Sequence, residues 1–217
     1  MFAYPKQSAF GKVLPKSKIY QHARVTRRTQ QCFVDQVSRI TWQYKLSPET
    51  TNLHARAGVP EIQVFTIALK AEELNEDVLR CIDKAISFPI LYEVTFEDRI
   101  KEMAAYKRPS EADSAKWVVG DYFETDWQPA DSQRSPLPVS LDLAGLYEQL
   151  LRSLMPLPAR NGESLKAHAE RLAMIRSKER ECNKLEARVN REKQFNRKVE
   201  LNAELRTIKN ELESLIG

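Results

Sequence analysis

The stretch from Ser164 to Ile216 reads SLKAHAERLAMIRSKERECNKLEARVNREKQFNRKVELNAELRTIKNELESLI and contains neither proline nor glycine. Its apolar residues recur at the three- and four-residue steps of a helix that packs against another helix. An unbroken helix of this length would extend about 80 Å, which is more than a small domain can bury. The sequence therefore predicts a long C-terminal coiled-coil helix over residues 163–217 that projects or pairs.

Two heptad patterns follow each other in this stretch. The first is imperfect, because its count also places His168 and Glu179 on the seam, and it comprises Leu165, Leu172, Ile175, Cys182 and Val189. The second is cleaner and comprises Leu201, Leu205, Ile208, Leu212 and Leu215. We predict that these last five residues form an oligomerisation seam against a second helical surface.

The two registers fail to join in the octet from Arg191 to Lys198, REKQFNRK. A step of seven residues from Val189 reaches Asn196, so the first heptad register does not continue to Leu201. Phe195, within the octet, is the one large aromatic residue of the stretch. Two explanations stay open, a polar layer that sets the register or a docking site in which the phenyl ring inserts into a protein partner. The docking site, which we favour slightly, would comprise Gln194, Phe195, Asn196, Arg197 and Lys198.

A basic stripe runs along the first half of the same stretch, at steps of four, four, four and three residues. It consists of Arg176, Arg180, Lys184, Arg188 and Arg191. Such a stripe could neutralise the phosphates of a nucleic acid. However, Glu179, Glu181 and Glu186 interrupt it, and the charged flank of a coiled coil would show the same residues.

Length and composition bound the class of protein. The 217 residues, 29% of them charged, allow one ordinary domain and an appendage. No apolar run approaches the ~20 residues of a membrane span, so a membrane protein is excluded. The cysteines Cys32, Cys81 and Cys182 lie too far apart to define a disulfide framework or a four-ligand zinc site. We expect a reducing cytoplasmic location.

Residues 1–25 are predicted to form an extended basic arm. The first 34 residues hold seven Lys or Arg and no acid. An organellar transit peptide, a nucleic-acid arm and a solvated leader all fit this composition, and the last is the simplest interpretation.

Residues 26–128 are predicted to form a mixed α/β (α+β) domain: a small sheet of about four strands with flanking helices. Helical spacing from Thr29 to Tyr44 and from Asn75 to Ile86 indicates two helices. Strands are predicted around Ile62–Leu69, Ile90–Phe96, Ile100–Lys107 and Trp117–Phe123. Residues 129–162 are predicted to be Pro-rich linkers around an amphipathic helix at residues 140–155.

Several segments, PKSKIY (15–20), TWQYKLSP (41–48), EIQVF (61–65), IDKAI (82–86), Tyr106-Lys107 and REKQFNRKVELN (191–202), resemble a bacterial family known as domain of unknown function 4391. The likeness spans nearly the whole chain. It implies a bacterial protein whose gene lies beside helicase and DNA-methyltransferase genes in restriction or phage-defence clusters. It brings no catalytic residues.

An enzyme is the weaker interpretation of the residues. The six glycines form no phosphate-binding loop, and His22, His54 and His168 are isolated. A metal-dependent nuclease would need carboxylates near a lysine, but Ala68 stands where a Glu-x-Lys pattern ending at Lys70 requires an acid. Three acids cluster around the end of the last predicted strand, namely Asp121, Glu124 and Asp126. They could hold a metal ion, or they could simply be solvated side chains at the end of the strand. We therefore assign no catalytic residue, metal or cofactor.

The sequence as a whole predicts a non-catalytic accessory or scaffold subunit of a bacterial DNA-directed defence or restriction complex. The coiled coil would assemble it as a dimer, onto a protein partner such as a helicase or DNA methyltransferase, or both. A DNA-binding module that uses the arm and the stripe, and a metal-dependent nuclease that uses the carboxylates around Asp121, are the two alternatives.

Overall fold

The computed structural model describes residues 1–56, 58–113 and 117–217. The chain forms two compact units, Met1–Pro156 and Leu157–Gly217, which we call the sheet unit and the hairpin unit. The sheet unit is α+β, and the hairpin unit consists of helices and turns. Among the helices of the described residues, none combines the length and the apolar composition that a membrane span requires.

A mixed sheet of seven strands organises the sheet unit. In spatial order its main strands are β2 (Ala9–Val13), β3 (Val37–Leu46), β4 (Ile62–Leu69), β5 (Ile90–Phe96), β6 (Arg99–Pro109) and β7 (Trp117–Glu124), and the short β8 (Gln128–Pro129) also pairs with β6. Helix α4 (Glu76–Ala85) connects β4 to β5, and these two strands are parallel, whereas the other pairs are antiparallel. A separate parallel pair joins β1 (Phe2–Ala3) to β9 (Ser135–Pro136).

The prediction of about four strands is wrong, because the sheet has seven. Residues 29–44 were expected to form one helix, but helix α2 (Arg27–Gln36) ends before β3 begins at Val37. Apolar residues at 33, 37, 40 and 44 satisfy helical spacing, yet the second part of this segment is rich in β-branched and aromatic residues. Such residues fit a pleated sheet, and pairing with β4 along its whole length decides in favour of a strand.

The N-terminal segment differs from an extended arm. A 3₁₀ turn (Lys6–Ser8), β2 and helix α1 (Lys16–His22) occupy it. The Lys16 ammonium donates hydrogen bonds to the carbonyl oxygens of Phe33 (2.7 Å) and Val37 (2.6 Å), at the junction of α2 and β3. At least one basic residue of this segment therefore stabilises the fold.

Helices lie against the sheet on its two faces. One face packs with α1, α2 and α4 in a core that includes Phe33, Ile82 and Tyr92, all with fully buried side chains. Helix α5 (Leu143–Arg152) packs against β6, where the Tyr147 hydroxyl accepts a hydrogen bond from the Lys107 backbone N–H (3.0 Å). A one-turn helix, α3 (Pro48–Thr51), follows β3.

Candidate functional site

The C-terminal stretch forms two helices, α6 (Leu165–Arg191) and α7 (Phe195–Ile216), instead of one long coiled-coil helix. The break falls inside the octet where the heptad registers fail to join. Glu192 and Gln194 adopt extended backbone conformations there. The Glu192 carboxylate accepts hydrogen bonds from the backbone N–H groups of Lys193 (2.8 Å) and Gln194 (2.9 Å). This carboxylate therefore holds the turn, a role that the sequence pattern did not indicate.

The two helices run antiparallel and cover each other. Lys178 pairs with Glu211, and Glu186 pairs with Lys209, each at 2.7 Å. Residues later in α6 therefore face residues earlier in α7. Between them lies an apolar seam of Cys182, Leu185, Val189, Leu201 and Ile208. The prediction of one long helix that projects or pairs is not confirmed, because the stretch forms two helices and α7 folds back on α6 of the same chain.

The predicted oligomerisation residues all lie in α7, but their burial differs. Leu201 and Ile208 are 6% and 5% exposed, and both belong to the seam. The other three, Leu205, Leu212 and Leu215, are half-buried. An intrachain surface thus covers the leucines for which the sequence suggested a second chain, and oligomerisation itself remains a prediction.

The open end of the hairpin is tied by two arginines. Arg171 donates to both carboxylate oxygens of Glu163, at 2.7 and 2.9 Å, and to the Pro158 carbonyl at 2.9 Å. Arg160 donates to the carbonyl oxygens of Ser214 (2.8 Å) and Leu215 (3.0 Å) at the end of α7. The hydrogen bonds from Arg171 lower the pKa of Glu163 to about 2. The two ends of the hairpin unit are therefore held together.

We call residues 191–198 the hairpin tip. Phe195 is the first residue of α7 and is 78% exposed, and the other four residues of the predicted docking site are exposed as well. Arg197 lies near Glu192, with 3.5 Å between its Nε and a carboxylate oxygen. Hydrogen bonds from the N–H groups of Gln194 and Lys193, followed by the charge of Arg197, lower the pKa of Glu192. The tip thus presents an aromatic ring on a turn that is fixed by a charged carboxylate.

The apolar surface continues from the tip along α7. Val199, four residues after Phe195 and so on the same side of the helix, is 53% exposed. A shallow groove of about 640 Å³ begins at Val199 and extends to Glu213, with Ala203, Arg206 and Asn210 among its lining residues. Phe195, Val199 and this groove form one candidate contact surface.

The basic stripe lies on α6. Arg176 is half-buried, whereas Arg180, Lys184, Arg188 and Arg191 are exposed. Within the described part of the chain, none of these four forms an ion pair. Two of the acids that interrupt the stripe are paired with other lysines, Glu181 with Lys178 (3.3 Å) and Glu186 with Lys209 (2.7 Å). Those carboxylates therefore offset the stripe less than the sequence suggests.

The acidic group considered for a nuclease does not form a metal site in the structure. Glu124 pairs with Lys101 at 2.6 Å on the neighbouring strand, Asp121 is half-buried on β7, and Asp126 is exposed just beyond that strand. In residues 1–56, 58–113 and 117–217, no three His, Cys, Asp or Glu side chains are placed to hold a metal ion together. The geometry gives this alternative no support.

A polar cluster that the sequence reading missed lies inside the sheet unit. The Lys107 ammonium, 0% exposed, lies 3.3 Å from Asp83 Oδ1 and donates to the backbone oxygens of Asp83 and Ile86. The other Asp83 oxygen accepts from the hydroxyls of Tyr92 (3.0 Å) and Tyr122 (2.5 Å). Burial raises the pKa of Asp83 and lowers the pKa of Lys107. Because solvent does not reach Lys107, we assign this cluster to stability.

A signal for this cluster exists in the sequence. Residues two apart on a strand share a face, so Lys107 lies in line with the apolar Met103 and Ala105 of β6. Asp83 follows Leu79 by four residues and therefore lies on the buried side of α4. A lysine and an aspartate, each at an inward position, indicate a buried pair.

Taken together, these observations define an α+β protein with a seven-stranded mixed sheet and a C-terminal antiparallel helical hairpin. The chain belongs to the family described as Domain of unknown function (DUF4391), whose model matches residues 2–212. Comparison with curated proteins and with solved structures gives no significant match.

Proposed function

We propose that the protein is a non-catalytic accessory or scaffold subunit of a bacterial DNA-directed complex for restriction or phage defence. It would capture a protein partner, such as a helicase or DNA methyltransferase, through the hairpin tip. The observation that carries the proposal is the 78% exposure of Phe195 at the apex of a structured turn. The defence setting rests on the family resemblance alone.

The energetics of the tip favour a contact. Full burial of a phenylalanine side chain contributes about 1.5–3 kcal/mol, and aromatic residues flanked by arginine are typical centres of protein interfaces. Glu192 already fixes the turn, so binding would order few additional groups. Arg197 and Lys198 are exposed beside the ring and would form a basic rim. We infer a partner that offers an apolar pocket with acidic residues at its edge.

The test is capture of the helicase or methyltransferase that the family resemblance implies is encoded beside this gene, with Phe195→Ala as the variant. We expect its affinity for the partner to fall at least about tenfold, because a central aromatic anchor contributes 2 kcal/mol or more. Met174→Ala removes a side chain that is also exposed, on α6, and should leave the affinity unchanged.

Equal capture by the wild type and Phe195→Ala would refute docking at the tip. Loss of capture by Met174→Ala as well would show that the hairpin had been disturbed in general. Circular dichroism of both variants establishes whether the helices remain.

A second candidate function is direct contact with DNA through the basic stripe. The observation that favours it is that four stripe residues are exposed without an ion pair in the described chain, while two interrupting glutamates pair elsewhere. Basic residues four apart on a helix lie about 6 Å apart along its axis, so the stripe could follow successive phosphates of one strand.

Salt-titrated DNA binding tests this second function. We expect the binding constant to fall steeply with salt, and the slope to decrease by about one for each phosphate contact removed. Arg180→Gln with Arg188→Gln should therefore reduce the slope by about two, whereas Arg206→Gln, an exposed change on α7, should not. Binding that is independent of salt would exclude a phosphate-binding stripe.

A further inference from the structure

A cleft of about 480 Å³ opens in the sheet unit where α1, β3, the start of β4 and the segment after α4 meet. Its volume lies in the range of about 300–1,000 Å³ that small-molecule sites occupy. Its apolar wall is formed by Leu14, Ile19, Trp42, Phe65, Ile86 and Phe88. None of these residues belongs to the surface proposed for partner capture.

The Trp42 ring is held in place before any ligand binds. Its indole N–H donates to the Tyr44 carbonyl oxygen (3.0 Å). Its ring centroid lies 4.2 Å from that of Phe10 and 6.0 Å from that of Phe65, with which it is nearly parallel. A fixed aromatic wall favours a flat, aromatic ligand, because contact with the rings is gained without ordering the side chains.

Polar groups meet in the cleft beside this wall. Gln63 is 3% exposed, and its amide N–H donates to Glu61, whose other carboxylate oxygen lies 3.2 Å from Lys45. A carboxamide oxygen and a carboxylate have lone pairs for further donors. Side-chain acceptors of this type recognise exocyclic amino groups of nucleobases, as when Gln binds the N6 amino group of adenine or Glu that of cytosine.

The α1 side of the cleft is positive. Lys18 and His22 are four residues apart on α1, line the cleft and are exposed. In the described part of the chain, neither side chain forms an ion pair or a hydrogen bond. Because Lys45 already neutralises Glu61, Lys18 is the cation left to bind an anionic group.

We propose that this cleft binds a nucleoside monophosphate whose base carries an amino group. The base packs against the aromatic wall with its amino edge toward Gln63 and Glu61, and the phosphate binds Lys18 and His22. An aromatic wall, a hydrogen-bonding edge and a cationic mouth match the three parts of such a molecule. An uncharged apolar ligand would leave Gln63 and Lys18 without a role. The proposal is independent of partner capture by the hairpin.

Isothermal titration calorimetry of the full chain tests it with AMP, GMP, CMP and UMP, with the corresponding nucleosides and with inorganic phosphate. At least one of AMP, GMP and CMP should bind about tenfold more tightly than UMP, which presents no amino group. That nucleotide should also bind about tenfold more tightly than its nucleoside and than inorganic phosphate.

Two variants localise the binding. Lys18→Ala should make nucleotide and nucleoside bind alike, whereas Lys6→Ala, an exposed lysine that does not line the cleft, should change nothing. Glu61→Ala should reduce the preference over UMP, because it removes a side-chain acceptor from the cleft, and its thermal unfolding shows whether the fold is intact.

Three outcomes would overturn the proposal. If none of the four nucleotides binds, the cleft is not a nucleotide site. If inorganic phosphate binds as tightly as the nucleotides, the base makes no contact. If Lys18→Ala binds the nucleotide as tightly as the wild type, the phosphate does not bind at Lys18. Retention of nucleotide binding by Phe195→Ala would confirm that the cleft and the hairpin tip act separately.

Discussion

Lys107 places a positive charge inside the sheet unit, where solvent does not reach it. Removing two charges from water costs several kcal/mol per ion, and the attraction to Asp83 offsets this only when the remaining donors and acceptors are also satisfied. Here the backbone oxygens of Asp83 and Ile86 accept from the ammonium, and two tyrosine hydroxyls donate to the carboxylate. The pair is therefore intolerant of losing one member.

Lys107→Met should lower the free energy of unfolding by about 3–5 kcal/mol, because it leaves the Asp83 carboxyl buried without its cation. Chemical denaturation measures the loss. Lys101→Met on the same strand breaks a partly exposed pair with Glu124 and should cost about 1 kcal/mol or less. Equal losses in the two variants would show that burial of the Lys107 pair has no special cost.

Glu163 gives the hairpin unit a dependence on pH. Its pKa falls from 4.5 to about 2 through the hydrogen bonds from Arg171, so the folded state favours the charged form. The resulting stabilisation is fully present above the unfolded pKa of 4.5 and disappears as the pH falls through the folded value of about 2.

Glu163→Gln should therefore destabilise the protein at neutral pH and have little effect near pH 2. Thermal unfolding of the wild type and the variant across this range gives the difference. Glu179→Gln, which changes an exposed carboxylate on α6 of the same unit, serves as the matched control. A difference between wild type and Glu163→Gln that stays constant with pH would contradict the role of the carboxylate charge.

At the scale of elements, the hairpin shows that one heptad pattern fits both a coiled coil between two chains and a helical hairpin within one chain. Leucines at steps of four and three require a facing helix, but the pattern does not state which chain supplies it. Here α6 supplies it, and the capped turn at Glu192 reverses the chain between the two registers. The mismatch in phase between the two registers therefore falls where the chain passes from α6 to α7.

Leu201→Ala should lower the stability of the hairpin unit by about 2–5 kcal/mol, because it opens a cavity in the buried seam. Hydrogen exchange of α6 and α7 amides should report faster opening. Leu215→Ala, at a half-buried position of the same pattern, should have a smaller effect. If α7 instead joins two chains, Leu201→Ala would lower the mass in light scattering before it unfolds the helices.

At the scale of the whole molecule, the two units divide the proposed tasks. The sheet unit contains the cleft and the buried pair of Lys107 and Asp83, whereas the hairpin unit exposes the aromatic tip and the basic stripe. Partner capture and nucleotide binding can therefore be lost one at a time. The variants at Phe195 and Lys18 are chosen to make that separation.

Much of the architecture could be predicted where the local pattern has one solution. Strand β4 has apolar residues on both faces, and Asn75 caps α4, so both elements were predicted near their true positions. The segment that contains Val37 was predicted wrongly, because its spacing fits a helix and its residue types fit a strand. The docking residues around Phe195 were selected from a break in register, and their exposure agrees with a contact surface without testing it.

By itself, the sequence determined that this chain has a mixed α/β part, a helical C-terminus with two apolar registers and a discontinuity between them. These features are local, since they depend on the spacing and type of residues within one element. The tertiary structure alone decided that the second register meets the first, that β3 is a strand, and that Lys107 meets Asp83. Each of these depends on residues far apart in the chain, whose pairing is selected by burial and hydrogen bonding in the folded state.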